Sequence, residues 1–337
     1  RGFRVKCGDP AAETTINARV VSLQMSRRLR EAWTWARVFG GGAVVMGCDD
    51  GRAPEEPLDP AALRSVRFLV SVTSRELYPE RWETDPLSAR FGEPTVYRLQ
   101  RNGGGGGTEM SLVHHTRVAR FEGLTTTRTR RLQLRGWGES YLQRAVDLLT
   151  EWHGAHAAVN DLVQQSSVGV FKMKDLMSLV GSDPEGLLKA RMAAMDLARS
   201  VARAILLDAE GESYERVEVG ALTGLPDILD RYSLRLAGAV DMPVSILLGR
   251  EPAGMNATGE SDTRAWYDAI DAEREMDLKP AIETIVRLVL RSSDGPTKGI
   301  EPEGWSVEFP PLWQATEAER ATLRQAVAVT DGLYIDK

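Results

Sequence analysis

The polar, glycine-rich stretch Gly249-Arg-Glu-Pro-Ala-Gly-Met-Asn-Ala-Thr-Gly-Glu-Ser-Asp262 decides how the chain is divided. Its three glycines permit positive φ angles, and Pro252 stops a helix from propagating. Ser261 or Asp262 is suited to cap a helix that follows. The stretch is therefore predicted to be an exposed, mobile loop.

Helical patterns flank this loop on both sides. Downstream, apolar residues recur at helical spacing from about Asp262 to Arg291, and Pro280 predicts a kink because its ring displaces one backbone hydrogen bond. Upstream, Pro226 begins a helix with one apolar face, which Pro243 ends. The loop thus joins two separate helices.

An acidic β-hairpin is predicted before the upstream helix. Its strands are Ile205-Leu206-Leu207 and the alternating run Tyr214–Val219, joined by the turn Asp208-Ala-Glu-Gly211. Another helix is predicted ahead of it, from Pro184 to about Ala202. The acids of this region are Asp208, Glu210, Glu212, Glu215, Glu218, Asp227 and Asp230. Such a surface repels phosphate, so DNA would not be gripped there.

The strongest periodicity lies in the middle of the chain. Apolar residues from Tyr141 to Leu162 follow steps of four and three, which predicts an amphipathic helix from Glu139 to Gln165. At about 1.5 Å per residue this helix would be about 40 Å long. That length favours an elongated or assembled protein.

The sequence of the N-terminal third predicts a mixed α+β arrangement. A helix from about Glu13 to Phe39 ends at three glycines, and a short strand follows from Ala43 to Cys48. Further strand-like runs are Val66–Thr73, Pro94–Gln100 and Ser111–Phe121. The five consecutive glycines 103–107 predict a flexible hairpin tip or insertion.

Composition limits the class of protein. The chain has 337 residues, 42% of them hydrophobic, and a formal charge of −6, so it can bury a sizeable core in two domains or one elongated domain. The two distant cysteines, Cys7 and Cys48, provide no disulfide framework and favour a reducing compartment. No apolar run is long enough to span a bilayer, so a soluble protein is expected.

One zone is locally basic. Between Leu112 and Thr150 seven arginines face three acids, which leaves three alternatives: contact with DNA or acidic partners, a face between subunits, or a solvated face. The arginines are Arg117, Arg120, Arg128, Arg130, Arg131, Arg135 and Arg144.

An enzyme is not expected. His153 and His156 lie one helical turn apart but without a His-Glu-x-x-His pattern, and His114-His115 is the other histidine pair. The glycines after Phe39 lie between a helix and a strand, which is the reverse of a phosphate-binding loop, and the chain has no Walker-type lysine. No catalytic residue, metal or cofactor is therefore predicted.

The order of these elements resembles the portal, or head-tail connector, proteins of tailed bacteriophages and prophages. The quoted loop and its helices carry this resemblance together with three other motifs. These are Phe91-Gly-Glu-Pro-Thr-Val-Tyr97 with His115-Thr-Arg-Val118, Gly136-Trp-Gly-Glu-Ser140, and Met242-Pro-Val-Ser-Ile-Leu-Leu-Gly249.

The resemblance implies an α+β portal fold with an α/β wing, a two-helix stem, a β-hairpin clip and a long wing helix. Its divisions would be 1–182 wing, 183–202 first stem helix, 203–224 clip, 225–242 second stem helix, 243–261 tunnel-loop region, 262–315 returning wing, and 316–337 a C-terminal helix or the start of a crown that is truncated or absent.

The resemblance also implies site residues. The tunnel loop would bring Arg250, Gly254, Asn256, Thr258, Gly259 and Glu260 close to DNA, and Asp227 and Asp230 would line the channel. The clip acids Asp208, Glu210, Glu212 and Glu215 would dock the motor and adaptor proteins.

The implied assembly is a ring, usually of twelve subunits, at one capsid vertex of the virion, formed in the host bacterial cytoplasm. Its partners would be double-stranded DNA passing without sequence readout, the terminase large subunit, a head-completion or adaptor protein, and the major capsid protein. A capsid adaptor or scaffold that forms no channel is the alternative, and a metal- or nucleotide-dependent enzyme is a more distant one.

Overall fold

The computed structural model describes residues 2–102, 108–166, 169–173, 204–208, 224–249 and 259–313, with 186, 189, 193, 321, 322 and 324–328. The chain divides into two compact units. The first comprises Arg1–Arg144 and Val240–Lys337, and the second comprises Ala145–Ala239. The secondary structure is mixed, with antiparallel sheets in the first unit, which agrees with the expected combination of helices and strands.

The first unit is built around a three-stranded antiparallel sheet of order β3-β2-β7. Its strands are β2 (Gly41–Asp49), β3 (Ser65–Thr73) and β7 (Val118–Glu122). Along β2, Val44 and Met46 face one apolar cluster while Ala43 and Val45 face another. Since side chains alternate along a strand, β2 is buried on both faces.

A second antiparallel sheet has the order β4-β5-β6, and its apolar residues share a cluster with the first sheet. Its strands are β4 (Leu77–Trp82), β5 (Pro94–Asn102) and β6 (Thr108–His114). Leu77, Tyr97 and Val113 are buried in this cluster, together with Trp137.

The predicted N-terminal helix is in fact two helices, α1 (Pro10–Ser22) and α2 (Met25–Phe39). Gln24 between them adopts a left-handed conformation, with φ of 51°. The prediction of one continuous helix was wrong. The chain changes direction at Gln24, but Ile16 of α1 and Leu29 of α2 still face the same core, so the apolar pattern of the sequence shows no gap there.

Helix α2 lies very close to the central strand. It ends at Gly40, whose φ is 78°, as the run of glycines predicted. A Cβ atom on Gly42 would come within 2.1 Å of the Ala32 carbonyl oxygen, so only glycine permits this approach.

The strand-like run Ser111–Phe121 was predicted as one strand and is two. Strand β6 pairs with β5, a 3-10 turn follows at His115–Arg117, and β7 then pairs with β2 in the other sheet. The chain therefore crosses between sheets inside an apparently continuous pattern. The short elements β1 (Arg4–Lys6), β4 and α3 (Arg128–Gln133) were not predicted.

The segment after residue 259 returns to the core of the first unit. Helix α7 (Glu260–Glu273) continues through a π-helical turn at Arg274–Leu278 into α8 (Lys279–Arg291). The predicted irregularity is thus present, just before Pro280. Ser261 and Asp262 lie in the first turn of α7 and do not cap it, because the helix already begins at Glu260.

Helix α8 buries its apolar face against the helical side of the central sheet. Strand β10 (Ser306–Glu308) then pairs with β1, which places Val5 opposite Val307 in the same core. The first and last parts of this unit are thereby held together. The predicted strand at Trp305–Phe309 is confirmed, slightly shorter than expected.

The second unit contains most of α4 (Leu142–Ser166) and α5 (Leu225–Ala239). Both helices were predicted. Two strands, β8 (Gly169–Met173) and β9 (Ala204–Asp208), pair in parallel here. The return strand of the predicted hairpin lies outside the described residues. Of the predicted helix Pro184–Ala202, Gly186, Lys189 and Ala193 are described, and all three are helical.

Candidate channel and subunit-contact elements

The tunnel-loop region is described at its two ends. Helix α6 (Val244–Leu248) ends at Gly249, whose φ is 66°, and α7 begins after Gly259, whose φ is 62°. The positive φ at both ends favours glycine at these positions. Glu260 is the first residue of α7. Arg250, Gly254, Asn256 and Thr258 lie outside the described residues, and their contact with DNA stays a prediction.

The two stem acids lie on α5. Asp227 is exposed in the first turn, where its carboxylate faces the positive end of the helix dipole. Asp230 lies one turn later and is half-buried. Because residues three apart lie on one side of a helix, the two carboxylates share a face. This geometry suits a negatively charged surface.

The clip acids are described at one position. Asp208 is the last residue of β9, whereas Glu210, Glu212 and Glu215 lie outside the described residues. Their proposed docking role remains a prediction.

Helices α4 and α5 pack against each other in the second unit. The Trp152 indole Nε1 donates a hydrogen bond to Ser233 Oγ at 3.1 Å, and Ser233 Oγ in turn donates to the Leu229 carbonyl. Arg235 forms an ion pair with Glu151 at 3.2 Å. The apolar stripe predicted from Tyr141 to Leu162 is the partly buried side of α4, with Trp152 at its centre.

A second apolar row on α4 faces solvent. Leu142, Val146 and Leu149 are 52%, 49% and 51% exposed. Their spacing of four and three residues places them along one side of the helix, which we call the uncharged flank. Arg144, Asp147 and Glu151 lie on the opposite side. A row of apolar residues free of charge is typical of the centre of a protein interface.

The predicted basic patch is largely neutralised by internal ion pairs. Arg117 is buried and contacts both carboxylate oxygens of Asp50, at 2.8 and 3.0 Å. Arg130 pairs with Glu139, and Arg131 with Glu122. The zone is therefore not a uniformly free basic surface, because Glu122 and Glu139 pair with arginines within it and the fold adds Asp50 from a distant segment.

The Arg117–Asp50 pair is also the charged contact that the sequence did not reveal. Burial alone would raise the pKa of Asp50, but backbone hydrogen bonds from Asp59 and Arg52 and the Arg117 guanidinium together hold that pKa below its ordinary value. No local motif marks this pair, since 67 residues separate its members.

Arg120 supports the Gly136-Trp-Gly-Glu-Ser140 motif. Its guanidinium lies over the Trp137 ring and donates to the Gly136 carbonyl at 2.7 Å. The Trp137 indole donates to the Leu77 carbonyl at 3.3 Å. Ser140 Oγ then donates to the Val38 carbonyl at the end of α2. The motif thus anchors the beginning of α4 to the first unit's core.

The histidines have structural contacts. Arg90 contacts His115 Nδ1, and burial followed by the Arg90 charge lowers the pKa of His115 to about 4. His156 stacks on Trp152 with ring centroids 4.1 Å apart. Over the part of the chain that the structure describes, no three His, Cys, Asp or Glu side chains converge as a metal site.

Both cysteines are unpaired and half-buried. Burial raises the pKa of the Cys48 thiol to about 12, which suppresses its reactive thiolate form.

The sequence model of the phage portal protein family matches residues 1–332. The chain belongs to that family. The family consists of phage-associated, oligomeric components of the virion. The expected kinship with portal proteins is thereby confirmed.

Three relatives align with nearly the whole chain. A protein of Caulobacter sp. (strain RHG1) named anti-CBASS protein Acb1 is 29% identical over 92% of this chain and 49% of its own length. A protein of the same name from Sphingomonas paeninsulae is 29% identical over 91% of this chain and 50% of its own length. An uncharacterized protein of Haemophilus influenzae is 27% identical over 93% of this chain and 68% of its own length.

The chain thus spans about half the length of the two relatives named for anti-CBASS. Within the described segments, no helix is both long enough and apolar enough to cross a membrane.

Proposed function

We propose that this chain assembles into a ring, of twelve copies in the usual portal arrangement, that forms the DNA channel at one capsid vertex. DNA would be packaged, retained and later ejected through it. The observation that carries the proposal is the match of the portal family to residues 1–332, nearly the whole chain.

The uncharged flank of α4 supports assembly. A closed ring needs two different surfaces on each subunit that fit one another. Leu142, Val146 and Leu149 expose apolar surface that would be removed from water by a neighbouring subunit. We propose this flank as part of the contact between adjacent subunits.

Charge supports a channel through which DNA slides. Twelve copies at −6 each would carry a formal charge of about −72. Asp227 is exposed on α5, so an axial position for this helix would present a ring of carboxylates to the phosphates. Repulsion of this kind prevents adhesion, while the polar loop 250–258 makes light contacts that read no bases.

In this proposal the clip and the first unit bind other proteins. The clip, with Asp208, Glu210, Glu212 and Glu215, would dock the terminase large subunit and later the head-completion or adaptor protein. The first unit would form the wing and contact the major capsid protein. Energy for DNA movement would come from the terminase motor, and this chain would perform no covalent chemistry.

The anti-CBASS property named for two relatives belongs, in this proposal, to the half of those proteins that this chain does not match. This chain, which aligns with the other half, matches the portal family over residues 1–332. An anti-CBASS assay of this chain is the check, and activity in it would contradict the assignment.

The test of the channel role is deletion of Ala253–Gly259. Packaging or DNA retention should fall while ring assembly is unchanged, because the core residues of the first unit lie outside the deleted segment. Substitution of these residues by a Gly-Ser linker of equal length is the matched control for loop length. Normal packaging by the deletion variant would refute the tunnel-loop assignment.

The alternative, an adaptor or scaffold that forms no channel, shares these surfaces but not ring closure. It would leave the uncharged flank in contact with a different protein.

A further inference from the structure

We propose that Leu87, at the tip of the loop between β4 and β5, inserts into the apolar cleft between the two sheets of a neighbouring copy of this chain. This inference rests on the proposed ring and identifies a second pair of surfaces in its contact, within the first unit. We call residues 83–93 the knob loop and the pocket lined by Val45, Phe68, Val70, Leu99 and Val113 the cleft.

The knob loop is held rigidly. Its base continues the β4–β5 pairing, with the Glu83 amide donating to the Glu93 carbonyl at 2.8 Å and the Gly92 amide donating to the Glu83 carbonyl at 3.0 Å. Inside it, Asp85 Oδ1 accepts from the Leu87 amide at 2.9 Å. The Phe91 amide donates to the Ser88 carbonyl at 3.0 Å. The loop is therefore ordered before it meets a partner.

The side chains that this loop presents are apolar. Leu87 is 93% exposed and Phe91 is 54% exposed. A single exposed leucine needs no explanation in a flexible segment, but a leucine held at the tip of an ordered loop is preorganised for insertion. Little conformational entropy remains to be lost on binding, which favours affinity.

The cleft has the size and lining to receive such a side chain. Its volume is about 450 Å³, within the range of pockets that bind small ligands or anchoring side chains. Phe68 at its edge is 54% exposed, and its ring lies against Gly47. Interface energy concentrates where an apolar anchor fills a pocket of this kind.

The charges around the knob loop and the cleft are complementary. Glu83 and Asp85 lie beside Leu87, and within the described part of the chain neither forms an ion pair with a basic side chain. Arg67 at the rim of the cleft is 66% exposed while contacting Asp49. A knob with acidic neighbours thus faces a rim with an accessible guanidinium. Two unlike surfaces that fit one another form the head-to-tail contact that a ring requires.

The decisive experiment mixes two single-cysteine variants of the full chain, both made in a Cys7→Ala, Cys48→Ala background because Cys48 itself lines the cleft. L87C introduces a thiol on the knob loop, and S111C introduces one at the exposed edge of the cleft. One variant carries an affinity tag, and a short bis-maleimide is added after co-assembly. We expect a covalent heterodimer from the mixture and no covalent dimer from either variant alone. A prominent L87C homodimer, or no heterodimer in assembled rings, would overturn the proposal.

A second measurement is independent of cross-linking. L87D should lower the affinity between subunits by about tenfold to a hundredfold, the value of one buried leucine. V21D is the matched control, since Val21 is 75% exposed on α1, and it should change assembly less than twofold. Rings that form normally with L87D would refute the insertion of Leu87 but would not refute the proposed ring. A wild-type chain that never forms rings would refute both proposals.

Discussion

The buried Asp50–Arg117 pair is the residue-level contact with the largest consequence for stability. The Arg117 and Asp50 side chains are 3% and 0% exposed, and Arg117 lies in the 3-10 turn where the chain leaves one sheet for the other. Asp50 follows β2, the strand shared by both apolar clusters. The pair therefore ties the crossing point to the central strand.

Replacing Arg117 by Met should destabilise the fold by about 3–5 kcal/mol, because Asp50 would remain buried without its cation. Arg27→Met is the control, since its pair with Glu31 is exposed and should contribute less than about 1 kcal/mol. Chemical denaturation measures both. In a double-mutant cycle with Asp50→Asn, the two losses should not add; simple additivity would contradict the coupling.

His115 should make stability depend on acidity. Its folded-state pKa of about 4 lies below the ordinary value of about 6.5, so the unfolded chain binds a proton first as pH falls. The contribution of neutral His115 is fully present above about pH 6.5 and is lost as pH approaches 4.

The variant His115→Gln should therefore show a smaller drop in Tm between pH 7 and pH 5 than the wild type. The physical reason is that burial disfavours the charged imidazole and that Arg90 contacts the ring nitrogen, so protonation would also bring two cations together. His153→Gln is the control, as His153 is exposed on α4. If both variants follow the wild-type profile, His115 does not cause the pH dependence.

At the residue scale the sequence predicted backbone conformation more readily than side-chain contacts. Gly40 was recognised as a helix end because positive φ selects glycine. The pairing of Arg117 with Asp50 was not recognised, because the residues next to Arg117 in sequence resemble those around a surface arginine. Burial of a charge depends on which distant segment folds over it.

At the scale of elements, the uncharged flank of α4 is an exposed apolar surface that we propose takes part in assembly. The sequence predicted α4 and its packed stripe from periodicity. It did not reveal the second row, Leu142, Val146 and Leu149, because a pattern shows which residues share a face but not which face is covered.

Leu149→Asp should weaken ring assembly by about tenfold or more while leaving the fold intact, because the side chain is half-exposed in the single chain. Asp147→Leu, on the opposite side of the same helix, is the matched control. Light scattering measures assembly, and circular dichroism checks that α4 is retained. Undiminished assembly of the Leu149 variant would exclude this flank from the contact.

Other elements were predicted to the extent that local signals marked them. The helices α5 and α8 and strand β10 were found because proline, apolar spacing and alternation agree there. The division between β6 and β7 was missed because the alternation persists through a 3-10 turn. Pairing partners of strands are set by tertiary packing, which no window of sequence contains.

At the scale of the whole molecule, the order of elements carried more information than any single motif. Membership of the portal family over residues 1–332 agrees with the resemblance drawn from that order. The first unit joins segments that are far apart in sequence, since β1 pairs with β10 and α8 contributes to the same apolar core as α2. Proximity of such distant segments could be expected only from the family likeness.

Copies of this chain are proposed to close into a ring around a channel. Electron microscopy of the purified chain, alone and during capsid assembly, shows whether such rings form. We expect closed rings with a central opening and about twelve subunits in top views. A monomer under every condition, including capsid assembly, would contradict it.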